Sequence, residues 1–296
     1  MAGGIAETQP KASLIPPLDD SLLRLSEAEH AFLRAAISDD EQELRKRVLD
    51  VQKRAYEKYP YPCIRGFHHV NLMMSKNAVY HEVVESGKSG NTTFLDLGCC
   101  MGTDVRKLVY DGYTASNVVG VDLRQEFIDL GYDLYRDRDT SPIRFFTDDI
   151  FTVSPDSTKF QDSVEFSQAT KLTQLGGKVS HFYLGALFHL YDEDTQFQIA
   201  LAVATLLKRE KGSIAFGRHQ GFEKEGLVDD HLGRTRYAHS PESWTKMWKR
   251  VYTQLESAEY AGTRVVVNAE LDAGFGKEIF KTKTPTTMLY WSVKII

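Results

Sequence analysis

From Thr93 to the C-terminus of this 296-residue chain, short apolar runs alternate with helical patterns. "TTFLDLG" reads as a strand and "GTDVRKLVYDG" as a helix. "NVVGVDL" and "RQEFIDLGYDLYRD" repeat the pair, and "IRFFTDDI" is a third strand. "VSHFYLGALFHL" is a fourth strand with its exit, followed by the long helix "DEDTQFQIALAVATLLKRE". "GSIAFGRHQG" is a fifth strand, and "SPESWTKMWKRVYTQL" a helix with Ser240 as its N-cap. Strands that alternate with helices specify a mostly parallel sheet covered on both faces. Their β-branched, apolar centres fit burial on both sides. The last two strands, "TRVVVNAELD" and "TTMLYWSVKII", have no helix-length crossover between them, so the final strand is expected to run antiparallel. The fold class is therefore α/β, a doubly wound seven-stranded sheet with an antiparallel last strand.

The first strand runs into "LGCCMGTDV", a strand–loop–helix junction that suits a ligand. Asp96 ends the strand, Gly98 and Gly102 flank the turn, and Cys100 stands where a middle glycine is usual. A dinucleotide places its pyrophosphate on the helix N-terminus, and an acid in the loop repels it. S-adenosyl-L-methionine has no phosphate and carries a cationic amino group, so Asp96 favours the methyl donor. Asp122, 26 residues on, closes the second strand where a carboxylate can accept both ribose hydroxyls. Asp148 and Asp149 close the third, where a carboxylate can meet the adenine amino group; Asp149 is preferred because Ile150 beside it is apolar. Three acids at successive strand ends lie along the carboxyl edge, where open α/β sheets bind ligands. Because a non-glycine residue pays roughly 1–2 kcal/mol at positive φ, Cys100 is expected to keep a negative φ and leave any left-handed turn to Gly98 or Gly102.

Upstream, residues 1–20 read as a loosely ordered tail and 21–90 as N-terminal helices with an aromatic segment. Residues 91–296 form the ligand-binding domain. Helical periodicity begins at Asp20, and Ser38 with Glu41 suggests a capping box for the second helix. "YPYPCIRGFHHVN" is expected to be extended, with Tyr59, Tyr61, Phe67 and His68 either packing the helices on the sheet or forming a lid that excludes water. Trp244 and Trp248, at i and i+4, read as core. With 36 basic and 41 acidic residues, no electrostatic footprint for nucleic acid is evident. Three cysteines without regular spacing, Cys63, Cys99 and Cys100, read as thiols rather than a disulfide framework or metal site. No run reaches the ~18 apolar residues of a membrane span, and no secretory signal opens the chain, so a cytoplasmic protein without membrane or metal partners is expected.

"YPYPCIRGF", "FLDLGCCMGTDVRKL", "LFHLYDEDTQ" and "HSPESW" together resemble class I S-adenosylmethionine-dependent methyltransferases. Within that class they are similar to fungal secondary-metabolite enzymes of meroterpenoid pathways, including those that esterify a carboxylate. The resemblance implies donor contacts at Asp96, Gly98, Cys100, Gly102, Asp122, Leu123, Asp149 and Ile150. It also implies a small-molecule acceptor. The acceptor pocket is expected beyond strands four and five, where histidines gather: His189, His219, His231 and His239, with His68 and His69 across the gap. His189, Arg218 and His219 are the candidates for acceptor chemistry, Arg218 as partner of an acceptor carboxylate. A carboxylate is already ionised and needs no base, whereas a phenol calls for one. Phenol, N- or C-methylation, a non-catalytic donor-binding subunit and a nicotinamide oxidoreductase are the alternatives; RNA methylation is disfavoured by charge. The N-terminal helices suit either a monomer's lid or a homodimer interface.

Overall fold

The computed structural model describes residues 15–155, 164–229, 235–272 and 287–296. Its elements in chain order begin with helices α1 (Glu27–Ala36), α2 (Glu41–Lys58), α3 (Pro62–Arg65) and α4 (Tyr80–Gly87). Then come β1 (Phe94–Leu97), α5 (Thr103–Tyr110), β2 (Val118–Asp122), α6 (Gln125–Tyr135) and β3 (Arg144–Thr147). They continue with β4 (His181–Gly185), α7 (Glu193–Leu206), β5 (Ile214–Gln220), β6 (Gly226–Asp229) and β7 (Thr235–Ala238). Helices α8 (Pro241–Leu255) and α9 (Ala258–Thr263) lead into β8 (Val265–Asp272) and β9 (Met288–Ile295).

Seven strands form one sheet in the order β3-β2-β1-β4-β5-β9-β8. β1 to β5 run parallel, while β9 inserts antiparallel between β5 and β8. The expected antiparallel last strand is therefore present, and it lies inside the sheet. Strand order reverses between β1 and β4, and the carboxyl ends of strands at such a reversal are where open α/β sheets bind ligands. Successive side chains along each strand face opposite layers. Leu95, Leu97, Phe182, Leu184 and Ala215 join the core under α7 and α8, where Trp244 and Trp248 are fully buried. Phe94, Tyr183, Ile214 and Phe216 join the opposite layer under α4 and α5.

A third cluster packs α1, α2 and the 61–72 segment against α6. Glu29 links these parts: its carboxylate accepts from Ser26 N at 2.8 Å, completing the cap of α1, and from Leu72 N at 3.0 Å. Asn77 Nδ2 donates to the carbonyls of Gly217 and Trp291, pinning the segment to β5 and β9. Pro16 and Pro17 offer their carbonyls to Tyr56 and Arg65.

Local details differ from the sequence reading. Continuous helix starts at Glu27 and not near Asp20, because Ser26 supplies the stronger cap; Asp20–Leu22 makes only a 3-10 turn. Asp40 caps α2 in place of Ser38, accepting from Gln42 N and Glu43 N. "YPYPCIRGF" is not extended throughout: Pro62 sits at N1 of the short α3, a position where its missing N–H costs nothing. The β6–β7 hairpin has no counterpart in the periodicity reading.

Candidate functional site

The loop after β1 is built from both sides. Gly98 N and Cys99 N both donate to Val121 O, and Gly102 N donates to Cys99 O. Cys100 N donates to Asp122 Oδ2 at 2.8 Å, and Arg124 N donates to Oδ1 at 2.9 Å. Asp122 thus organises the loop. Behind the loop, the buried Arg106 pairs with Asp137 through two bonds of 2.7 and 2.8 Å and donates to Met101 O. Gly131 in α6 is a required glycine, since a Cβ there would stand 2.4 Å from Met101 O.

Cys100 corrects the expectation of negative φ. It adopts φ 52, alongside Gly98 at 80 and Gly102 at 68. The bond from its amide to Asp122, together with contact between its side chain and the N-terminal cluster, holds the left-handed conformation against its steric cost. Phe67 at φ 59 and Ala186 at φ 60 are strained in the same way. One lies in the segment above the loop and the other where β4 exits; Ala186 N donates to Arg218 O at 2.7 Å. Such outliers gather at binding sites where surrounding structure over-determines them.

Asp96 is buried beside this loop. Burial first, then the like charges of Asp104 and Asp122, holds its carboxyl well above the ordinary carboxylate range. Asp104, in the first turn of α5, accepts from Met74 N at 3.0 Å; burial raises it to about 6. Burial also raises Asp122. Three carboxylates this close disfavour one another's ionisation, and a bound cation relieves that repulsion. Leu123 stands half exposed, whereas Ile150 is buried in the core. The Asp148 carboxylate accepts from Leu172 N and Asp149 N, and the Asp149 carboxylate accepts from Phe151 N through Oδ1.

Tyr59 and Tyr61 stack at 5.8 Å between centroids, and both meet Phe127 edge-on. The Arg124 guanidinium lies 4.4 Å above the Tyr59 ring, and its charge reaches Tyr61. The aromatic segment therefore sits over the Asp122 end of the loop. Phe67 is buried, with its ring 5.8 Å from that of His69, and burial drives His68 well below its ordinary value. His69 offers its carbonyl to Thr103 Oγ1.

Arg218 and His219 do not share a face. Arg218 is 4% exposed and lies on the α4–α5 side of β5, in register with Gly185 and Tyr290. Its charge reaches Cys63, His68, Asp104 and Tyr183. His219 points into the other layer, among Phe188, Trp244 and Trp291, and Trp291 Nε1 donates to its Nδ1 at 3.1 Å. Burial keeps it well below its ordinary value. Strand alternation separates two residues that adjacency in sequence had joined. His239 pairs with Ser243 Oγ at 2.9 Å in the cap of α8, and the His189 carbonyl accepts from Arg236. His231 lies outside the described residues. Among the described residues, no group of three or more His, Cys, Asp or Glu side chains could hold a metal, and no helix is long and apolar enough to cross a membrane.

The donor set fits S-adenosylmethionine: buried carboxylates for its cationic end, an acid after β2 for its ribose, and an open left-handed loop between them. Gly98 illustrates the room left, with nothing within 4 Å of an added Cβ. Residues 18–70 match the family described as meroterpenoid methyltransferase N-terminal domain. The chain is 36% identical to O-methyltransferase phiE of Fungal sp., over 69% of this chain and 64% of phiE. It is 32% identical to the asnovolin E/chermesin D methyltransferase nvfJ of Aspergillus novofumigatus, over 79% of each chain. It is 33% identical to O-methyltransferase atr3 of Stereocaulon alpinum, over 79% of this chain and 62% of atr3. The chain thus spans under two thirds of phiE and atr3 and about four fifths of nvfJ. A segment matching the N-terminal domain of that family and this sheet edge occur in one chain, and this protein belongs to the fungal meroterpenoid methyltransferases.

Proposed function

We propose that this chain methylates a carboxylate of a small secondary metabolite, forming a methyl ester. The observation that carries this reading is Arg218. A guanidinium only 4% exposed stands at the carboxyl end of β5, on the same sheet face as Asp96. It is fixed in charge and offers a planar fork that matches a carboxylate. S-adenosylmethionine, when bound, would supply an electrophilic methyl to the acceptor oxygen, with its sulfur as the leaving group.

The chain's own residues orient and shield. Asp96 holds the donor's ammonium, Gly98, Cys100 and Gly102 let the backbone come near it, and Asp122 takes the ribose hydroxyls. Asp149 meets the adenine amino group, with Leu123 as an apolar wall. Tyr59, Tyr61, Phe67 and His68 roof the site and exclude water, with the N-terminal helices as their support. Arg218 aligns the acceptor, and alignment of this kind supplies several kcal/mol of the barrier reduction. No general base is assigned, because an acceptor already ionised gives up no proton. His219 has no part in acceptor chemistry in this reading, since it faces the other layer. A panel of carboxylic acids and phenols, with isotopically labelled methyl donor, tests the proposal. Label in acids, lost in Arg218→Met, supports it; label in phenols alone overturns it.

A further inference from the structure

Tyr183 lies on β4 between the two halves of this site. In register it neighbours Asp96 of β1 on one side and Phe216 of β5 on the other. Two residues on, Gly185 is opposite Arg218, which in turn is opposite Tyr290. Asp96, Tyr183, Arg218 and Tyr290 therefore line one face of the sheet near its carboxyl edge. The phenol leans along its own strand toward that edge: a Cβ added at Gly185 would stand 3.0 Å from Tyr183 Cε1 and 3.1 Å from the hydroxyl oxygen. Glycine at 185 leaves the space that the ring occupies. The charges of Asp104, Arg218 and Asp96 all reach the phenol.

The side chain is 3% exposed, yet among the described residues its hydroxyl has no hydrogen-bond partner. A buried hydroxyl left unsatisfied is costly and calls for a reason. The nearby carboxylates do not supply one: Asp104 accepts from the Met74 amide at 3.0 Å, and neither it nor Asp96 accepts a bond from the hydroxyl. A substrate seated against Arg218 brings an oxygen to the place where the hydroxyl lacks a hydrogen-bond acceptor.

We propose that the Tyr183 hydroxyl donates a hydrogen bond to an oxygen of the acceptor's methylated group, beside Arg218, and fixes that group in line with the donor's methyl. Donation to an acceptor oxygen rests on the geometry of β4; that the group is a carboxylate rests on the reading above. The test compares wild type with Tyr183→Phe in three measurements: thermal melting, calorimetric binding of S-adenosylhomocysteine, and steady-state kinetics on the best acceptor of the panel. Removing an orphan hydroxyl should leave the melting temperature unchanged or raised. The Kd for S-adenosylhomocysteine should stay within twofold, while kcat/KM for the acceptor falls by about 10- to 100-fold, as for loss of a bond to a charged group. A tenfold rise in that Kd would assign the hydroxyl to the donor and overturn the proposal. So would a melting temperature lowered by several degrees, or a kcat/KM within twofold of wild type. If wild type methylates phenols only, the carboxylate reading fails; a lower kcat/KM of Tyr183→Phe on that phenol would still uphold the role of Tyr183.

Discussion

Replacing Asp122 with alanine removes two things at once, and their sizes can be worked from the geometry. Its oxygens accept from Cys100 N at 2.8 Å and Arg124 N at 2.9 Å, in a residue 8% exposed. Each orphaned amide costs about 1–3 kcal/mol, less where water enters the space left behind. A net loss of about 2–4 kcal/mol follows, or roughly 3–6 °C in melting temperature at this chain length. On the ligand side, two charge-assisted bonds to ribose hydroxyls are lost, each about 1.5–3 kcal/mol. Donor affinity should fall by about 10²- to 10⁴-fold, since each 1.4 kcal/mol is tenfold. Calorimetry with S-adenosylhomocysteine reads the affinity, and a melting curve on the same sample shows that the fold survives. Asp122→Asn, which keeps one acceptor oxygen, should lie between. An alanine variant that binds within threefold of wild type would refute the assignment of Asp122 to the ribose.

Three further perturbations probe the loop and its charges. Cys100→Gly relieves about 1–2 kcal/mol of left-handed strain but returns about 0.5–1 kcal/mol of chain entropy to the unfolded state; melting should stay within a few degrees and donor Kd within a few-fold, and a tenfold weaker Kd would show that the thiol touches the donor. Gly131→Ala presses a methyl against Met101 O and should cost about 1–3 kcal/mol by overpacking, seen as a lower melting temperature together with weaker donor binding. Asp96 and Asp104 are both raised in the folded protein, Asp104 to about 6, so each keeps a proton there that the unfolded chain has lost. Stability of the unliganded protein should therefore decline as pH rises from the ordinary carboxylate range through about 6. A bound cation favours the ionised forms, so donor affinity should climb over the same window. Titrations near pH 6 in two buffers of different ionisation enthalpy should detect proton release; a pH-independent Kd would contradict the assignment.

Much of this was legible in the sequence because its signals are local. Strand–helix alternation gave the layers, and the short connection before "TTMLYWSVKII" gave the antiparallel strand. Asp96, Asp122 and Asp149 stand out in the sequence because each lies at or just beyond a strand's end: Asp96 precedes the last residue of β1, Asp122 ends β2 and Asp149 follows β3. Cys100 was misread because its conformation is set by Asp122, 22 residues away, and by the N-terminal cluster, neither of which the loop's own residues reveal. His219 was grouped with Arg218 because adjacency hides the alternation that sends the two to opposite layers. Tyr183 and Asp104 were missed for a related reason. Tyr183 read as an ordinary apolar strand residue, and its significance appears only through Gly185 on its own strand and Arg218 across the sheet. Asp104 read as part of a helix's first turn, yet it anchors Met74, in the segment that follows the aromatic stretch.

The most direct measurement is the chemical nature of the methyl group that the purified chain transfers. Products of the acceptor panel, labelled from S-adenosylmethionine, are treated with mild base and the label released as methanol is counted. Methyl esters give up their label, and ethers do not. Base-labile label with wild type, lost in Arg218→Met, is the expected result. Label that stays bound through base treatment, with Arg218→Met as active as wild type, would contradict carboxylate methylation at this site.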